Sequence, residues 1–197
     1  MRVQLEKTFP IDAPAEVTWT LLRDIEGVAE CMPGAQITER VDDKNYKGQV
    51  SVRLGPATVN FKGTIEVKSI DVGKHQIQVH GKGSDGSSAA TMDLTAHIQQ
   101  TGNGKCDVIG VSEVTVSGKL ANFGGRMMTQ VADQLLKQFG ANFANRVLAM
   151  GDGAAAEKAA ASVAAQPKEL NGLALLWQVI VGFFKTLFGG KKSNHIG

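Results

Sequence analysis

Apolar and polar positions alternate with period two through most of the first 150 residues. Tyr46, Gly48, Val50, Val52 and Leu54 share one face of an extended segment, and Lys47, Gln49, Ser51 and Arg53 share the other, as in a half-buried strand. The pattern returns at Val59, Phe61, Gly63, Ile65 and Val67, at Ile77, Val79 and Gly81, at Met92, Leu94, Ala96 and Ile98, and at Val108, Gly110, Val114 and Val116. Turn formers separate these runs at Asp42-Asp43, Gly55-Pro56, Gly83 to Gly86 and Gly102-Asn103-Gly104, which predicts an antiparallel meander.

Helical spacing brackets the meander. After RVQLEKTFPI a helix opens near Pro14, with Val17, Leu21, Leu22 and Ile25 on one face, and a short second helix spans Val28 to Met32 before Pro33-Gly34. A long third helix runs from about Lys119 to Met150, with Leu120, Phe123, Met127, Val131, Leu135, Phe139, Phe143 and Val147 recurring mostly every four residues. The predicted order is β-α-α-β-β-β-β-β-β-α. This is an α+β fold in which a curved antiparallel sheet wraps a long C-terminal helix.

The pattern changes near Met150. GDGAAAEKAAASVAAQ, from Gly151 to Gln166, is Ala-rich and poor in core formers, and reads as a flexible tether with transient helix. Beyond it, Asn171, Gln178, Gly182, Lys185 and Gly189 form one narrow stripe on a helix that is otherwise apolar. The run from Leu173 to Phe188 would cover roughly 24 Å, short of the ~30 Å hydrocarbon core. A helix lying in the membrane interface is therefore expected. Leu173, Leu176, Trp177, Ile180, Phe183, Phe184, Leu187 and Phe188 would enter the lipid, and Lys185, Lys191 and Lys192 would meet anionic headgroups. A core helix or an oligomerisation seam is the competing reading. The expected organisation is a domain at 1–150, a linker at 151–168, a membrane-binding helix at 169–192 and a disordered tail at 193–197.

Composition narrows the function classes. Twenty-one Lys and Arg against nineteen Asp and Glu leave a formal charge of +2, too weak a field for a dedicated nucleic-acid surface. Cys31 and Cys106 stand far apart without metal-ligand spacing and are expected as buried, reduced thiols. MRVQLEKTFPID holds no apolar run long enough for a secretory leader, so the expected location is the cytoplasmic face of the cell membrane.

Reactive constellations are not signalled. Gly81-Lys82-Gly83-Ser84 lacks phosphate-loop spacing, and no G-x-S-x-G nucleophile elbow occurs. His80 and His97 sit on neighbouring strands, but a short hairpin near Gly86 sets His80 opposite about Asp93 and His97 opposite about Gln76, which argues against a shared metal. Glu16 and Asp24 read as helix-surface charges, and no carboxylate pair suggests acid-base work. A non-catalytic binding or carrier protein is expected.

Many inward positions are small: Gly48, Gly63, Gly81, Ala96, Gly110 and Ser112. Such a sheet leaves room for a small apolar ligand beside the adaptable thioethers of Met127 and Met128, although a collapsed core would use the same residues. The apolar wall would be Phe61, Val79, Met92, Leu94, Val114, Phe123, Met127 and Val131, with Trp19 either at the mouth or in plain core.

Phe9, Ile11, Ala13-Pro14, Trp19, Asp24, the Cys31-Met32-Pro33-Gly34 turn, Tyr46-Lys47-Gly48, Gly55-Pro56, Phe61 and Gly63 carry a resemblance that continues through Gly118-Lys119-Leu120-Ala121 and Gly125-Arg126. With them the chain resembles the START-like helix-grip superfamily and, within it, the family of carbon monoxide dehydrogenase G-subunits. That resemblance implies an accessory that recruits an aerobic molybdenum carbon monoxide dehydrogenase to membrane lipid. It also implies an isoprenoid quinone, menaquinone or ubiquinone, carried in the cavity as electron acceptor. Tyr46 and Ser112 would then be the inward polar groups able to donate to a quinone carbonyl. A pure tethering or maturation factor, or a general lipid carrier, are the alternatives.

Overall fold

The computed structural model describes residues 1–54, 57–151 and 154–164; the Gly55-Pro56 turn, the expected membrane-binding helix at 169–192 and the tail at 193–197 lie outside them. The chain runs β1 (Arg2–Ile11), α1 (Ala15–Leu22), α2 (Ile25–Cys31), β2 (Ala35–Arg40), β3 (Asn45–Leu54), β4 (Ala57–Asp71), β5 (Gln76–Ser84), β6 (Ser88–Gly102) and β7 (Lys105–Gly118). A 3₁₀ turn (Lys119–Phe123), α3 (Gly125–Ala149) and α4 (Ala154–Ala164) follow. The seven strands form one antiparallel sheet in the order β1-β7-β6-β5-β4-β3-β2, so α1 and α2 carry the chain from one edge to the other. The meander and its predicted order are present. Register shifts at Ile37/Glu39, Val67/Ser69 and Gln100/Gly102 are bulges, which bend strands and help the sheet curl around α3.

Three expectations change. The second helix starts at Ile25 rather than Val28, because Asp24 accepts the Gly27 N–H at 3.1 Å and caps it; Asp24 is thus a cap, not a mere surface charge. The third helix does not start at Lys119. Gly124 stands at φ 78°, ψ 154°, a backbone open to glycine and strained for other residues, and it divides the 3₁₀ turn from α3. Part of the expected leash is also ordered: its alanines, the best helix formers, build α4 against α3 with Ala156 and Ala159 buried.

The main core lies between the sheet, α1, α2 and the C-terminal half of α3. Ile11, Thr18, Cys31, Cys106, Phe143 and Val147 are its most enclosed side chains. Gly140 lets α3 approach β1 so closely that any β-carbon there would enter the Phe9 ring. Phe9 then meets Phe139 edge-on at 5.6 Å, and Phe139 meets Phe143 at 5.7 Å. Asn142 donates to the Cys31 carbonyl at 3.0 Å, and Arg146 pairs with Glu30 at 2.5 Å, fixing α3 to α2.

Trp19 is core, with its ring 5.4 Å from that of His75 and its Nε1 buried without a hydrogen-bond partner among the described residues. Glu16 meets His75 Nε2 at 3.2 Å. Among the described residues no helix is long and apolar enough to cross a membrane.

Candidate functional site

The small residues that alternation places on the inner face fall into register with one another. Ile37 pairs with Gly48, Gly48 with Gly63, Gly63 with Gly83, and Gly83 with Ala90, so a row nearly without side chains crosses five strands. The neighbouring row runs Tyr46, Ile65, Gly81, Met92 and Val114. Above these rows lies a cavity of about 270 Å³. Among the described residues its apolar lining is Ala29, Ala35, Ile37, Val50, Phe61, Ile65, Ala90, Met92 and Val114, over the glycine floor of Gly48, Gly63, Gly81 and Gly83.

Gln36, Gln49, Lys62, Thr64, Lys82 and Thr91 border the same space. Their alternation sends their side chains to the convex face, where Gln49 donates to Gln36 at 3.1 Å, so they present mainly backbone to the cavity. No carboxylate, histidine or thiol is among the described lining residues.

The glycines have different causes. A β-carbon at Gly63 would collide with the Lys82 carbonyl and Gly83, and one at Gly48 would come within 2.9 Å of the Gln36 carbonyl, so those two admit a close backbone approach. At Gly81 the nearest atom to such a carbon is Met92 Cε at 3.6 Å, an ordinary contact. The space over Gly81 is not forced by the backbone. Glycine within a strand costs about 0.5–1 kcal/mol relative to alanine, and here that cost leaves an open, apolar volume.

The expected wall is only partly in place. Phe61, Met92 and Val114 line the cavity. Met127, Met128 and Val131 do not line it, but pack in one cluster with Phe61, Val114, Val116 and Leu120, one contact removed. Phe123 is 45% exposed on the 3₁₀ turn, because the Gly124 break turns it off the face of α3. Val79 belongs to the main core, and the Leu94 side chain lies over Gly110.

The two expected polar groups miss the cavity as well. Tyr46 is buried in the main core and its hydroxyl donates to the Asp43 carbonyl at 3.4 Å, while Ser112 stands between Leu5 and Leu94 outside the lining. Of the six small residues expected, Gly48, Gly63 and Gly81 line the cavity while Ala96 lies in the main core and Gly110 under Leu94; sequence reading did not give Ala29, Ala35, Ile37, Val50, Ile65, Gly83 or Ala90 as lining. The first three come from α2 and β2, which touch the cavity only through the sheet's curvature.

The remaining ionisable groups stand apart from this chemistry. Burial pushes the Cys31 thiol up to about 12, and burial also raises Cys106, whose Sγ lies 3.2 Å from Thr18 Oγ1. Neither is an activated nucleophile. His80 Nδ1 lies 2.7 Å from Asp93, and His97 pairs with Gln76, which is the separation the hairpin register implied. Among the described residues no group of three or more His, Cys, Asp or Glu could hold a metal. The arrangement can accommodate an apolar molecule over its glycine floor.

Solved structures share this fold. A conserved protein from Geobacillus kaustophilus is 18% identical, with TM-score 0.67 over 74% of this chain and 95% of that one. A START superfamily protein from Mycobacterium smegmatis is also 18% identical, with TM-score 0.53 over 73% of this chain and 96% of that one. An aromatase/cyclase from Streptomyces sp. R1128 is 14% identical, with TM-score 0.55 over 78% of this chain and all of that one. At such identities the likeness establishes a START-like helix-grip fold and no activity. No curated protein matches the chain in sequence. The family model for the carbon monoxide dehydrogenase G-subunit (CoxG) matches residues 8–148, nearly the whole folded domain, and the chain belongs to that family.

Proposed function

We propose that this protein is a membrane-recruiting accessory of an aerobic molybdenum carbon monoxide dehydrogenase, and that its cavity carries an isoprenoid quinone, menaquinone or ubiquinone, to the enzyme as electron acceptor. Family membership supports the partner. The glycine-floored apolar cavity supports the cargo. Its volume of about 270 Å³ sits at the lower edge of the ~300–1,000 Å³ usual for small-molecule sites. A quinone ring system fits that space, and most of a long isoprenoid tail runs out of it.

With Lys62 and Lys82 presenting mainly backbone and no carboxylate, histidine or thiol in the described lining, recognition rests on shape and on removing apolar surface from water, worth about 25 cal/mol per Å². The protein then acts as a solvent-excluding carrier and leaves the redox chemistry to the dehydrogenase. The apolar run from Leu173 to Phe188 supplies the membrane contact on the cytoplasmic face, at the end of the Ala-rich segment.

The test is to incubate the full chain with quinone-loaded membranes, repurify it, extract it with organic solvent and identify the extract by mass spectrometry. Near-stoichiometric quinone is the expected result. Protein that floats with those membranes yet returns without isoprenoid would overturn the carrier reading, and recovery of phospholipid instead would make it a general lipid carrier.

A further inference from the structure

The two ends of the sheet differ in charge. One end comprises residues 1–4, 50–54, 57–62, 82–91 and 114–132: the N-terminus, the ends of β3 and β5, the starts of β4 and β6, the 3₁₀ turn and the head of α3. It carries Arg2, Arg53, Lys62, Lys82, Lys119 and Arg126 against Asp85 and, at its border, Glu113, which pairs with Arg2 at 3.4 Å. The other end, residues 11–17, 38–46, 66–77 and 97–109, carries eight carboxylates against five Lys and Arg. The whole-chain charge of +2 conceals this polarity.

The basic end also exposes an aromatic ring, whereas the large apolar side chains exposed at the acidic end, Val41, Ile70 and Val72, are aliphatic. Phe123 is 45% exposed at the tip of the 3₁₀ turn, and Gly124 beside it has open space where a side chain would be. Arg53, Lys119 and Arg126 are exposed and make no ion pair among the described residues. Asp85 is engaged by the backbone N–H groups of Ser87 and Ser88, and Glu113 by Arg2. The cavity lies in the half of the sheet nearer this end, bounded by Val50, Phe61, Gly83 and Ala90.

An exposed aromatic on an end that carries unpaired cations matches an anionic lipid surface: the ring enters the interface and each nearby cation gains from the negative surface potential. We propose that this end of the folded domain is a lipid-contacting surface, distinct from the apolar C-terminal run Leu173 to Phe188, that seats Phe123 in an anionic bilayer with Arg53, Lys119 and Arg126 on the headgroups. It turns the cavity-bearing half of the sheet toward the membrane. This deepens the carrier reading by giving the carrier an orientation and rests on it for its purpose, but its test involves no quinone.

The full-length protein is given a single reactive thiol by Asn122→Cys, beside Phe123, or by Val72→Cys, 62% exposed at the acidic end. Both native cysteines are buried, so an environment-sensitive fluorophore goes to the new site. Vesicles of phosphatidylglycerol and phosphatidylcholine, carrying nitroxide-labelled lipid, serve as the surface. Quenching several-fold stronger at position 122 than at 72 is expected, weakening on pure phosphatidylcholine. Lys119→Gln and Arg126→Gln should each reduce docking of this end about fivefold while the protein still floats through its tail. Quenching at neither position, at both alike or only at 72 would overturn the proposal, as would indifference to the two charge removals. A vesicle-bound protein that is quenched at 122 but never holds quinone would uphold this surface and sink the carrier reading.

Discussion

The two halves of α3 lie over the same sheet on different terms. The C-terminal half is pressed down: Gly140 receives the Phe9 ring, Phe143 and Val147 are essentially inaccessible, and Asn142 and Arg146 are bonded to α2. The N-terminal half rests on half-buried Met127, Met128 and Val131, and the sheet region beside their cluster offers Gly48, Gly63, Gly83 and Ala90 instead of bulk. Large side chains meet large ones at one end, while at the other the sheet keeps its own face bare. Packing is thereby concentrated at one end of α3, and the open volume is left at the other.

The strongest challenge to that division is a pair of equal truncations. Phe143→Ala empties a filled site and should cost about 3–5 kcal/mol. Phe61→Ala removes a half-buried ring that already borders a void, so its cost should be about 1–2 kcal/mol. Urea unfolding of the two variants measures the difference directly. Equal losses would mean that the cavity region carries as much of the fold as the packed end.

Much of this contrast was legible in the sequence, but not all of it. Period-two alternation placed Gly48, Gly63 and Gly81 on the inner face, and period-four spacing placed Phe139, Phe143 and Val147 on α3. What alternation cannot supply is register between strands. Nothing in the local pattern says that Gly48, Gly63 and Gly83 stand side by side, because that depends on turn lengths and on the bulge at Val67/Ser69. For the same reason Val79 and Tyr46, inward-facing as expected, fall in the main core rather than in the cavity. Phe123 was misplaced by a different cause: a helical pattern read straight through Gly124, whose positive φ ends the 3₁₀ turn, while Met127 and Val131 keep the inward face that period-four spacing gave them.

A second test sharpens the open side of the comparison. Gly81→Leu puts a side chain into the cavity at the glycine whose added β-carbon would meet only Met92, at ordinary contact distance. Replacing a strand glycine should itself help the folded state by about 0.5–1 kcal/mol, so the urea midpoint should hold or rise slightly. The extractable ligand should meanwhile fall sharply, because the added isobutyl group occupies the space the ligand needs. Gly63→Leu is the contrasting control, since its β-carbon would strike the backbone of β5 and destabilise the sheet whether or not anything binds. Retained ligand in a stably folded Gly81→Leu protein would show that the floor is not the binding surface.

The smallest effect concerns how the open end is held without much burial. Asp85 accepts the Ser87 N–H at 2.8 Å and the Ser88 N–H at 2.6 Å, and Ser88 Oγ accepts the Leu120 N–H at 3.0 Å, so one turn carboxylate helps tie the β5–β6 connection to the start of the 3₁₀ turn. The hydrogen bond from the Ser87 backbone is the largest influence lowering the Asp85 pKa from 3.8. A carboxylate lowered on folding stabilises the native state above its unfolded pKa and loses that contribution as pH falls through the folded value. Asp85→Asn keeps the shape and removes the charge. The wild-type advantage in urea midpoint should therefore be small, constant from neutral pH down to about pH 4, and gone below the lowered value. If the advantage persists in acid, the turn is held by shape alone, and the open end owes nothing to this charge.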